Sequence, residues 1–403
     1  MNLKDKLDRY APVSGVRESR PVRRPGAASA KCEHLLEVFP PHHIHGTHRV
    51  GSLGGRFESV ARILVRCPAD DALDFERIAF VDTETTGLSG GIGVCAFLVG
   101  VGYLSPAGFV VEQFLMNDFP AEPDMLQRVC ETLEKFDVLG SYNGRSFDVP
   151  ILDGRLLLNG IRKRLSDKPH LDLLHPARRL WKHRLSDCSL KSLEAHAVGH
   201  IREDDIEGWM IPEAYFRYLR SGDRETMERI LLHNRQDILS LACLTNLTFR
   251  LIDSPKEAPL EYGLDWYGLG TLFEQHRQMN EAVHCFERAI EMGLPEETRR
   301  RCLMTLSLTH KRRGDWNDAV KLWKETSSTK GDANTYVGLE ELAKFYEHKQ
   351  RDLISARDVC QRAIAMIEIH AALSETNSGR HLENFEHRLR RIEKKIRTGG
   401  ENG

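Results

Sequence analysis

The pattern of apolar and polar residues changes along the chain, and each change predicts a different kind of element. A continuous apolar run at 78–81 predicts a buried strand. Apolar residues at 96–104 and 109–115 predict two more strands, joined by a turn at 105–108. Further on, apolar residues recur at helical spacing over 227–247. This order predicts an α/β domain whose mixed sheet is flanked by helices.

Beyond a polar, proline-bearing segment at 253–261 the pattern becomes purely helical. Ala282, Ala319 and Ala356 follow one another at intervals of 37 residues, which indicates an internal repeat. The first repeat matches the tetratricopeptide (TPR) template closely, and the second and third match it less well. Helix pairs that cannot bury their apolar faces alone should stack into a short solenoid. The polar segment also predicts that the parts on either side of it fold separately.

These changes divide the chain into six predicted segments. The first is rich in Arg, Pro, Gly and Ser and is predicted to be disordered. The second contains Cys32, His34, His42, His43, His45 and His48, but their spacing matches no zinc pattern, so an arm that packs on the next domain is favoured. The predicted segments are a disordered stretch at 1–30, the arm at 31–75, an α/β domain at 76–252, a linker at 253–261, helical repeats at 262–370, and a capping helix with a flexible tail at 371–403.

Composition is ordinary for a globular chain, with 41% hydrophobic and 29% charged residues. The formal net charge of -2 gives no overall attraction to nucleic acid, so phosphate binding would depend on local patches. The nine cysteines are scattered and contain no C-x-x-C pair, which is typical of free thiols in a reducing, cytoplasmic setting. No apolar run approaches about 18 residues, so no membrane span is expected. The best candidate for such a patch consists of Arg178, Arg179, Lys182, His183, Arg184 and Lys191, and the alternative is that these residues form a solvated helix face.

Two acidic residues follow the first apolar run at a spacing of two. Asp82 and Glu84 would lie on one face of a strand, because successive side chains in a strand point to opposite faces. Two unpaired carboxylates side by side repel each other and resist removal from water. A divalent cation would remove both difficulties. The alternative is a strand that simply ends in an acidic turn at Gly87.

Two further acidic signals follow along the chain. Asp148 stands after a predicted strand at 136–141 and before an apolar run, so it would lie at a helix N-terminus near the end of the sheet. His233 and Asp237 are four residues apart in the predicted helix at 227–247, and they would face the same side. Taken alone, each has an ordinary explanation: an N-cap for the aspartate and a surface hydrogen bond for the His–Asp pair.

The order Asp-x-Glu, Asn-x-x-x-Phe-Asp and His-x-x-x-Asp resembles the DEDD 3′–5′ exonucleases of the RNase H-like superfamily. The chain is similar in particular to the YprB-like group, in which such a domain precedes TPR repeats. The similarity extends through much of 76–250 and includes the segments 85–93, 170–179 and 187–194. The resemblance implies an RNase H-like α/β nuclease domain followed by an all-α TPR solenoid.

The resemblance also implies a chemistry. Two divalent ions, Mg²⁺ or Mn²⁺, about 3.5–4 Å apart would activate water and stabilise charge on the phosphate. Asp82 would bridge both ions. Glu84 and Asp237 would hold the ion that carries the attacking water, and Asp148 would hold the second. The expected substrate contacts are Thr85, Gly87, Leu88, Asn143, Phe147, Arg178, Arg179 and Lys191.

His233 departs from the family pattern. One branch of the family places a Tyr four residues before the last Asp, and another places a His five residues before it. Here a His lies four residues before Asp237. An imidazole can titrate near neutral pH, so His233 is predicted to orient or deprotonate the water. Asp172 is expected to support the site from outside.

Two functions from different classes follow from these features. The first is a metal-dependent 3′–5′ exonuclease that hydrolyses single-stranded DNA or RNA, with a TPR array that docks a protein partner or nucleic acid. The second is a catalytically weak or inactive TPR adaptor whose nuclease fold binds nucleic acid without cutting it. The presence of all four acidic positions favours the first.

Overall fold

The computed structural model describes residues 31–64, 72–87, 93–327, 333–373 and 379–399. The segment at 1–30 that was predicted to be disordered lies outside the described residues. So do Leu88, one of the predicted substrate contacts, and the end of the tail at 400–403. No helix in the described ranges is long and apolar enough to cross a membrane.

A six-stranded mixed sheet forms the centre of the first half of the chain, with strand order β1-β8-β7-β6-β9-β10. β6 lies inside the sheet, antiparallel to β7 and parallel to β9. This arrangement confirms the predicted mixed sheet. The strands are β1 Glu33–Phe39, β2 Ile44–His45, β3 His48–Arg49, β4 Arg56–Phe57, β5 Leu73–Asp74, β6 Ile78–Thr85, β7 Ala96–Ser105, β8 Gly108–Leu115, β9 Val138–Ser141 and β10 His170–Asp172.

Helices cover both faces of this sheet and then make up the rest of the described chain. They are α1 Glu58–Ile63, α2 Glu122–Leu133, α3 Asp148–Leu158, α4 Leu174–Trp181, α5 Leu190–Leu193, α6 Ile211–Ser221, α7 Arg224–Asp253, α8 Gly263–Gln275, α9 Met279–Met292, α10 Glu296–Arg313, α11 Trp316–Thr326, α12 Ala333–Phe345, α13 Leu353–Leu373 and α14 Gly379–Gly399. The succession of helices from α8 onward is consistent with a helical solenoid.

The continuous apolar run of β6 is explained by burial on both faces of the sheet. Ile78 and Phe80 belong to one apolar cluster, which α7 shares through residues such as Ile238. Ala79 and Val81 belong to a second cluster on the other face, which α2, α3 and α6 contribute to. Because side chains alternate along a strand, the next residues of β6 with the orientation of Ile78 and Phe80 are the two acidic ones, which therefore lie on the α7 side.

The predicted arm adds an edge strand to the sheet. β1 pairs antiparallel with β8 along its whole length. Arg224, at the start of α7, forms an ion pair with Glu33 at 2.5 Å. His34 stacks on Phe114 with ring centroids 4.6 Å apart, and its Nε2 lies 2.7 Å from a Glu112 carboxylate oxygen. The histidine of this strand therefore packs and hydrogen-bonds at the sheet edge.

The two sides of the predicted linker share one apolar cluster. Trp181 of α4 and Phe249 of α7 are buried in it together with Trp266 and Phe286 from the first helix pair of the repeats. Gly268 of α8 lies so close to α4 that an added Cβ would be 2.1 Å from the Leu180 carbonyl oxygen. This shared cluster was not expected, because a polar linker in the sequence does not reveal that apolar faces meet beside it. That the two parts fold separately stays a prediction.

Candidate active site

The first two acidic residues project from β6 toward α7. Asp82 pairs in register with Gly100 of the neighbouring strand β7. A Cβ on Gly100 would lie 2.3 Å from the side-chain oxygen of Asn234 on α7. Glycine at this position therefore allows α7 to approach the sheet directly beside Asp82. This close approach places the part of α7 that carries Asp237 over the acidic end of β6.

Asn234 is fully buried and contacts Asp82 directly. Its Nδ2 donates to Asp82 Oδ2 at 2.8 Å, while its Oδ1 accepts from Gln113 Nε2 at 2.9 Å. Gln113 can only donate through its amide nitrogen, so this contact fixes which end of Asn234 faces the carboxylate. The sequence signal for this role is a polar residue inside the apolar face of the predicted helix.

Asp148 is the first residue of α3 and faces the same cleft. Phe147 is the N-cap residue and its side chain makes no capping bond, so the N-cap interpretation of Asp148 is not supported. Thr83 of β6 donates its hydroxyl to Asp148 Oδ1 at 2.5 Å. The preceding loop is held by Asp172, whose oxygens accept from the backbone N–H groups of Asn143 at 2.8 Å and of Arg145 at 3.1 Å.

His233 and Asp237 stand one turn apart on the side of α7 that faces β6. His233 Nε2 lies 3.3 Å from Asp237 Oδ2 and 3.8 Å from Glu84 Oε1. One ligand atom from each of Glu84, His233 and Asp237 lies within 4.8 Å of the others. All three side chains are about one-seventh exposed, so the group opens to solvent on one side only.

Arg202 reaches the site from a loop and was not predicted. Its side chain is 2% exposed, and it donates to Asp237 Oδ1 and, at 2.6 Å, to Glu194 Oε2. A buried guanidinium needs carboxylate partners, because an unpaired charge would carry the full cost of leaving water. Nothing in the local sequence distinguishes Arg202 from other loop arginines, since both partners are more than seven residues away.

Burial raises the pKa of three carboxyls in the cleft. Burial, followed by the negative charges of Asp237 and Asp148, raises the pKa of Asp82 well above its usual value. Burial and then the charge of Asp82 raise the pKa of Glu84 in the same direction. Burial raises the pKa of Asp148 to about 6, although the hydrogen bond from Thr83 lowers it in part. Burial is the main cause of all three shifts, and neighbouring negative charges add to those of Asp82 and Glu84.

The donor set fits a hard divalent cation. Mg²⁺ and Mn²⁺ prefer carboxylate oxygens and retain several waters, so a few carboxylates at the edge of an open cleft are sufficient. Asp82, Glu84, Asp148 and Asp237 would hold such ions. A cation would also favour the charged form of each carboxyl, which opposes the burial and the neighbouring charges that raise the pKa values of Asp82, Glu84 and Asp148.

Asp82, Glu84 and Asp148 line a cleft of about 260 Å³, and Asp237 lies beside Glu84, with carboxylate oxygens of the two within 4.8 Å. Four of the predicted substrate contacts line it too, namely Thr85, Gly87, Asn143 and Phe147. Arg178 and Arg179 lie on α4, which packs against α8. Lys191 is half exposed, and its Nζ lies 3.5 Å from Asp205 and 3.6 Å from Glu207.

A second group of possible ligands lies behind the cleft. His45 Nε2 and His200 Nε2 are 3.7 and 3.8 Å from Glu194 Oε1. The same carboxylate oxygen accepts the Ser240 hydroxyl at 2.5 Å, and that hydroxyl lies 2.6 Å from His45 Nε2. These contacts form a hydrogen-bond network that connects the arm to Arg202, and through Arg202 to Asp237.

Comparison with known proteins gives two relevant similarities. A family model described as the RNase H superfamily matches residues 79–248. The uncharacterized protein YprB of Bacillus subtilis (strain 168) is 33% identical over 322 residues, which cover 79% of this chain and 75% of that protein. The range matched by the family model includes Asp82, Glu84, Asp148 and Asp237.

A solved structure also matches in part. The family B DNA polymerase from the hyperthermophilic archaeon Pyrobaculum calidifontis is 17% identical, with a TM-score of 0.31, over 50% of this chain and 29% of that chain. That similarity is too low to assign a fold or a function. The identity to YprB extends over most of both proteins. The chain therefore belongs to the YprB family and carries an RNase H superfamily domain.

Proposed function

We propose that the protein is a DEDD-type, metal-dependent 3′–5′ exonuclease that hydrolyses single-stranded DNA or RNA with two Mg²⁺ or Mn²⁺ ions. The observation that carries the proposal is the convergence of Asp82, Glu84, Asp148 and Asp237 on one cleft, where three of their carboxyls have raised pKa values. Such concentrated charge destabilises a fold unless a cation offsets it, which favours a metal-binding role over packing.

Each side chain has a distinct part in this mechanism. Bound divalent ions lower the pKa of bound water and neutralise charge on the phosphate. Asn234 holds the Asp82 carboxylate in one orientation, and Thr83 does the same for Asp148. Arg202 fixes Asp237 from the side away from solvent. His233, whose Nε2 faces Glu84 and Asp237, accepts or directs the proton of the attacking water.

The cleft provides room for the end of a nucleic-acid strand. Phe147 lines it and is 47% exposed, which leaves an aromatic face free to stack on an unpaired base. Thr85, Gly87 and Asn143 surround the same space. Leu88 is also proposed as a substrate contact, because of the family resemblance. Arg178, Arg179 and Lys191 would contact phosphates further along the nucleic acid. The helices after α7 are proposed to be TPR repeats that dock a protein partner or a longer substrate.

Incubation of the pure protein with end-labelled single-stranded DNA and RNA tests this function. Shortening from the 3′ end in Mg²⁺ or Mn²⁺, and none in EDTA, is the expected result. Labels at the 5′ and 3′ ends distinguish the direction of digestion, and a duplex of the same sequence tests strandedness. Metal-dependent binding without any cleavage, at every metal concentration, would instead favour the non-cutting adaptor.

A further inference from the structure

The loop between the short helix α5 and α6 brings a fifth carboxylate to the site. Asp205 Oδ1 lies 2.6 Å from His233 Nδ1. Asp204 has a positive φ of 51°, a backbone state that aspartate tolerates, and this turn directs the next residue inward. Arg229 of α7 donates to the Asp204 carbonyl oxygen at 3.0 Å, and Ile206 is buried. Asp205 is therefore held between two anchored residues.

This contact determines which nitrogen of His233 carries the proton. An ionised carboxylate only accepts hydrogen bonds, so Nδ1 must be the donor. In a neutral imidazole the other nitrogen, Nε2, then has a lone pair. That nitrogen faces the cleft, 3.3 Å from Asp237 and 3.8 Å from Glu84.

Arg202 offers a competing arrangement. Its NH1 lies 3.2 Å from His233 Nδ1, and a bond there would require Nδ1 to accept. The contact to Asp205 is shorter and has a charged acceptor, so it is the stronger of the two. Arg202 NH1 also lies 3.5 Å from Asp205 Oδ2, as does Lys191 Nζ. Both cations therefore act on the far oxygen of Asp205 and hold its near oxygen toward His233.

We propose that Asp205 is a positioning residue that fixes the tautomer and ring orientation of His233, so that Nε2 presents its lone pair to the cleft. The effect on hydrolysis rests on the proposed nuclease function, whereas the tautomer itself does not. Asp205 comes from outside the segments that carry the acidic motifs, and it accounts for how a histidine four residues before Asp237 can be oriented.

Asp205→Asn is the informative substitution because it keeps the size of the side chain. The two cations beside the far oxygen will attract the amide oxygen, which turns the NH₂ group toward Nδ1 and favours the opposite tautomer. We expect kcat to fall by about 10- to 100-fold, the usual size for losing the orienting partner of a functional histidine, with KM within about threefold. Asp204→Asn, at the exposed neighbouring position, is the matched control and should retain wild-type kcat.

A double-mutant cycle separates positioning from a general structural effect. In a His233→Ala background, Asp205→Asn should change kcat by less than about twofold, because no imidazole remains to be oriented. An equal loss of kcat in both backgrounds would overturn the proposal. So would a single variant Asp205→Asn with wild-type kcat.

A measurement without substrate tests the tautomer directly. In metal-free protein labelled with ¹⁵N-histidine, at a pH where the ring is neutral, the NMR signals of His233 should report a proton on Nδ1. Asp205→Asn should move that proton to Nε2, while Asp204→Asn should not. A wild-type proton on Nε2, or no change in Asp205→Asn, would contradict the proposal. If the tautomer behaves as expected but no oligonucleotide is cut, the nuclease function fails and the positioning role of Asp205 stands.

Discussion

Mutual repulsion at the end of β6 is a cost that a purely structural site would avoid. Burial raises the pKa of Asp82, and the neighbouring negative charges of Asp237 and Asp148 raise it further. Asp82→Asn removes one charge and keeps a side chain of the same size. We expect activity to fall by more than about 100-fold, since losing even a supporting partner of a metal ligand costs 10- to 100-fold. The same variant should melt higher than the wild type in EDTA, and lower relative to it in Mn²⁺.

Two measurements check this expectation. Thermal melts test whether the melting temperature of the variant is above that of the wild type in EDTA and below it in Mn²⁺. Digestion of a labelled oligonucleotide reports the rate. Asp204→Asn serves as a control, because the residue is exposed and outside the cleft. Undiminished cleavage by Asp82→Asn would remove Asp82 from the mechanism.

The raised pKa of Asp148 predicts a pH dependence of stability without metal. Its pKa is about 6 in the folded protein, against an ordinary value of 3.8, so the folded state binds the proton more tightly than the unfolded chain. The stabilisation from this group is therefore complete below about pH 4 and is lost as the pH rises through about 6. Asp148→Asn stays neutral throughout, so its melting temperature in EDTA should rise relative to wild type between about pH 4 and 7. Parallel curves for the two proteins would show that Asp148 does not titrate this way.

His233 is the remaining candidate for proton transfer. His233→Ala should reduce the rate by roughly 10²- to 10⁴-fold, the usual contribution of a general base. Metal affinity, measured by calorimetry with Mn²⁺, should change little, because the four carboxylates remain. A rate loss below about threefold would make His233 a bystander.

Short spacings in the sequence made some of these residues predictable and left others hidden. Asp82 and Glu84 are recognisable because a two-residue spacing on a strand fixes a common face, and His233 and Asp237 because a four-residue spacing does so on a helix. Arg202 and Asp205 have no such local signature. They reach the cleft only because a loop between two helices folds back against α7, a contact set by long-range packing.

At the scale of elements, the site depends on how closely α7 approaches β7. Gly100→Ala would place a methyl group 2.3 Å from the Asn234 side-chain oxygen, in a region where neither neighbour can move freely. We expect a stability loss of about 1–3 kcal/mol from this overpacking. Because Asn234 holds Asp82, activity should fall more than the loss of folded protein explains.

Gly154→Ala is the matched control for that variant. Gly154 lies on exposed α3 surface, and an added Cβ meets no atom within 4 Å. Alanine there should raise stability by up to about 1 kcal/mol, since glycine is unfavourable inside a helix. Urea unfolding and oligonucleotide digestion check both variants. Equal behaviour of Gly100→Ala and Gly154→Ala would show that the close approach is not required.

The long, strongly patterned elements followed from the sequence and the short ones did not. The helix expected at 227–247 is Arg224–Asp253, because its N-cap, Asp223, lies outside the apolar pattern. Strands expected at 96–104 and 109–115 are Ala96–Ser105 and Gly108–Leu115. β10 has only three residues, too few for an alternation to be visible, although its Asp172 supports the loop before Asp148.

At the scale of the whole molecule, the apolar cluster shared by α4, α7 and the first helix pair predicts that the α/β domain depends on the helices after it. Arg184, before the predicted linker, pairs with Asp265 on α8 at 2.8 Å, and the two side chains are 14% and 4% exposed. Removing one partner of such a buried pair leaves the other charge uncompensated. The sequence could not reveal this, because a linker is recognised by its own composition and not by the surfaces it brings together.

A chain that ends at Arg250 should therefore fold poorly. It would uncover Leu180 and Trp181, which are 1% exposed in the intact protein and lie on α4, the helix that packs against α8. Each fully buried large apolar side chain contributes about 1.5–3 kcal/mol, so the two together amount to a large share of the total stability of about 5–15 kcal/mol that is typical of a domain. A chain that ends at Gly314 keeps α8 to α10 and the members of this cluster that they supply, and it should remain soluble and cut a short single strand. Solubility, thermal melting and digestion of a short oligonucleotide compare the two truncations with the full chain. If the chain ending at Arg250 melts as high as the other two and cuts as fast, the shared cluster is dispensable and the linker separates two independent folding units.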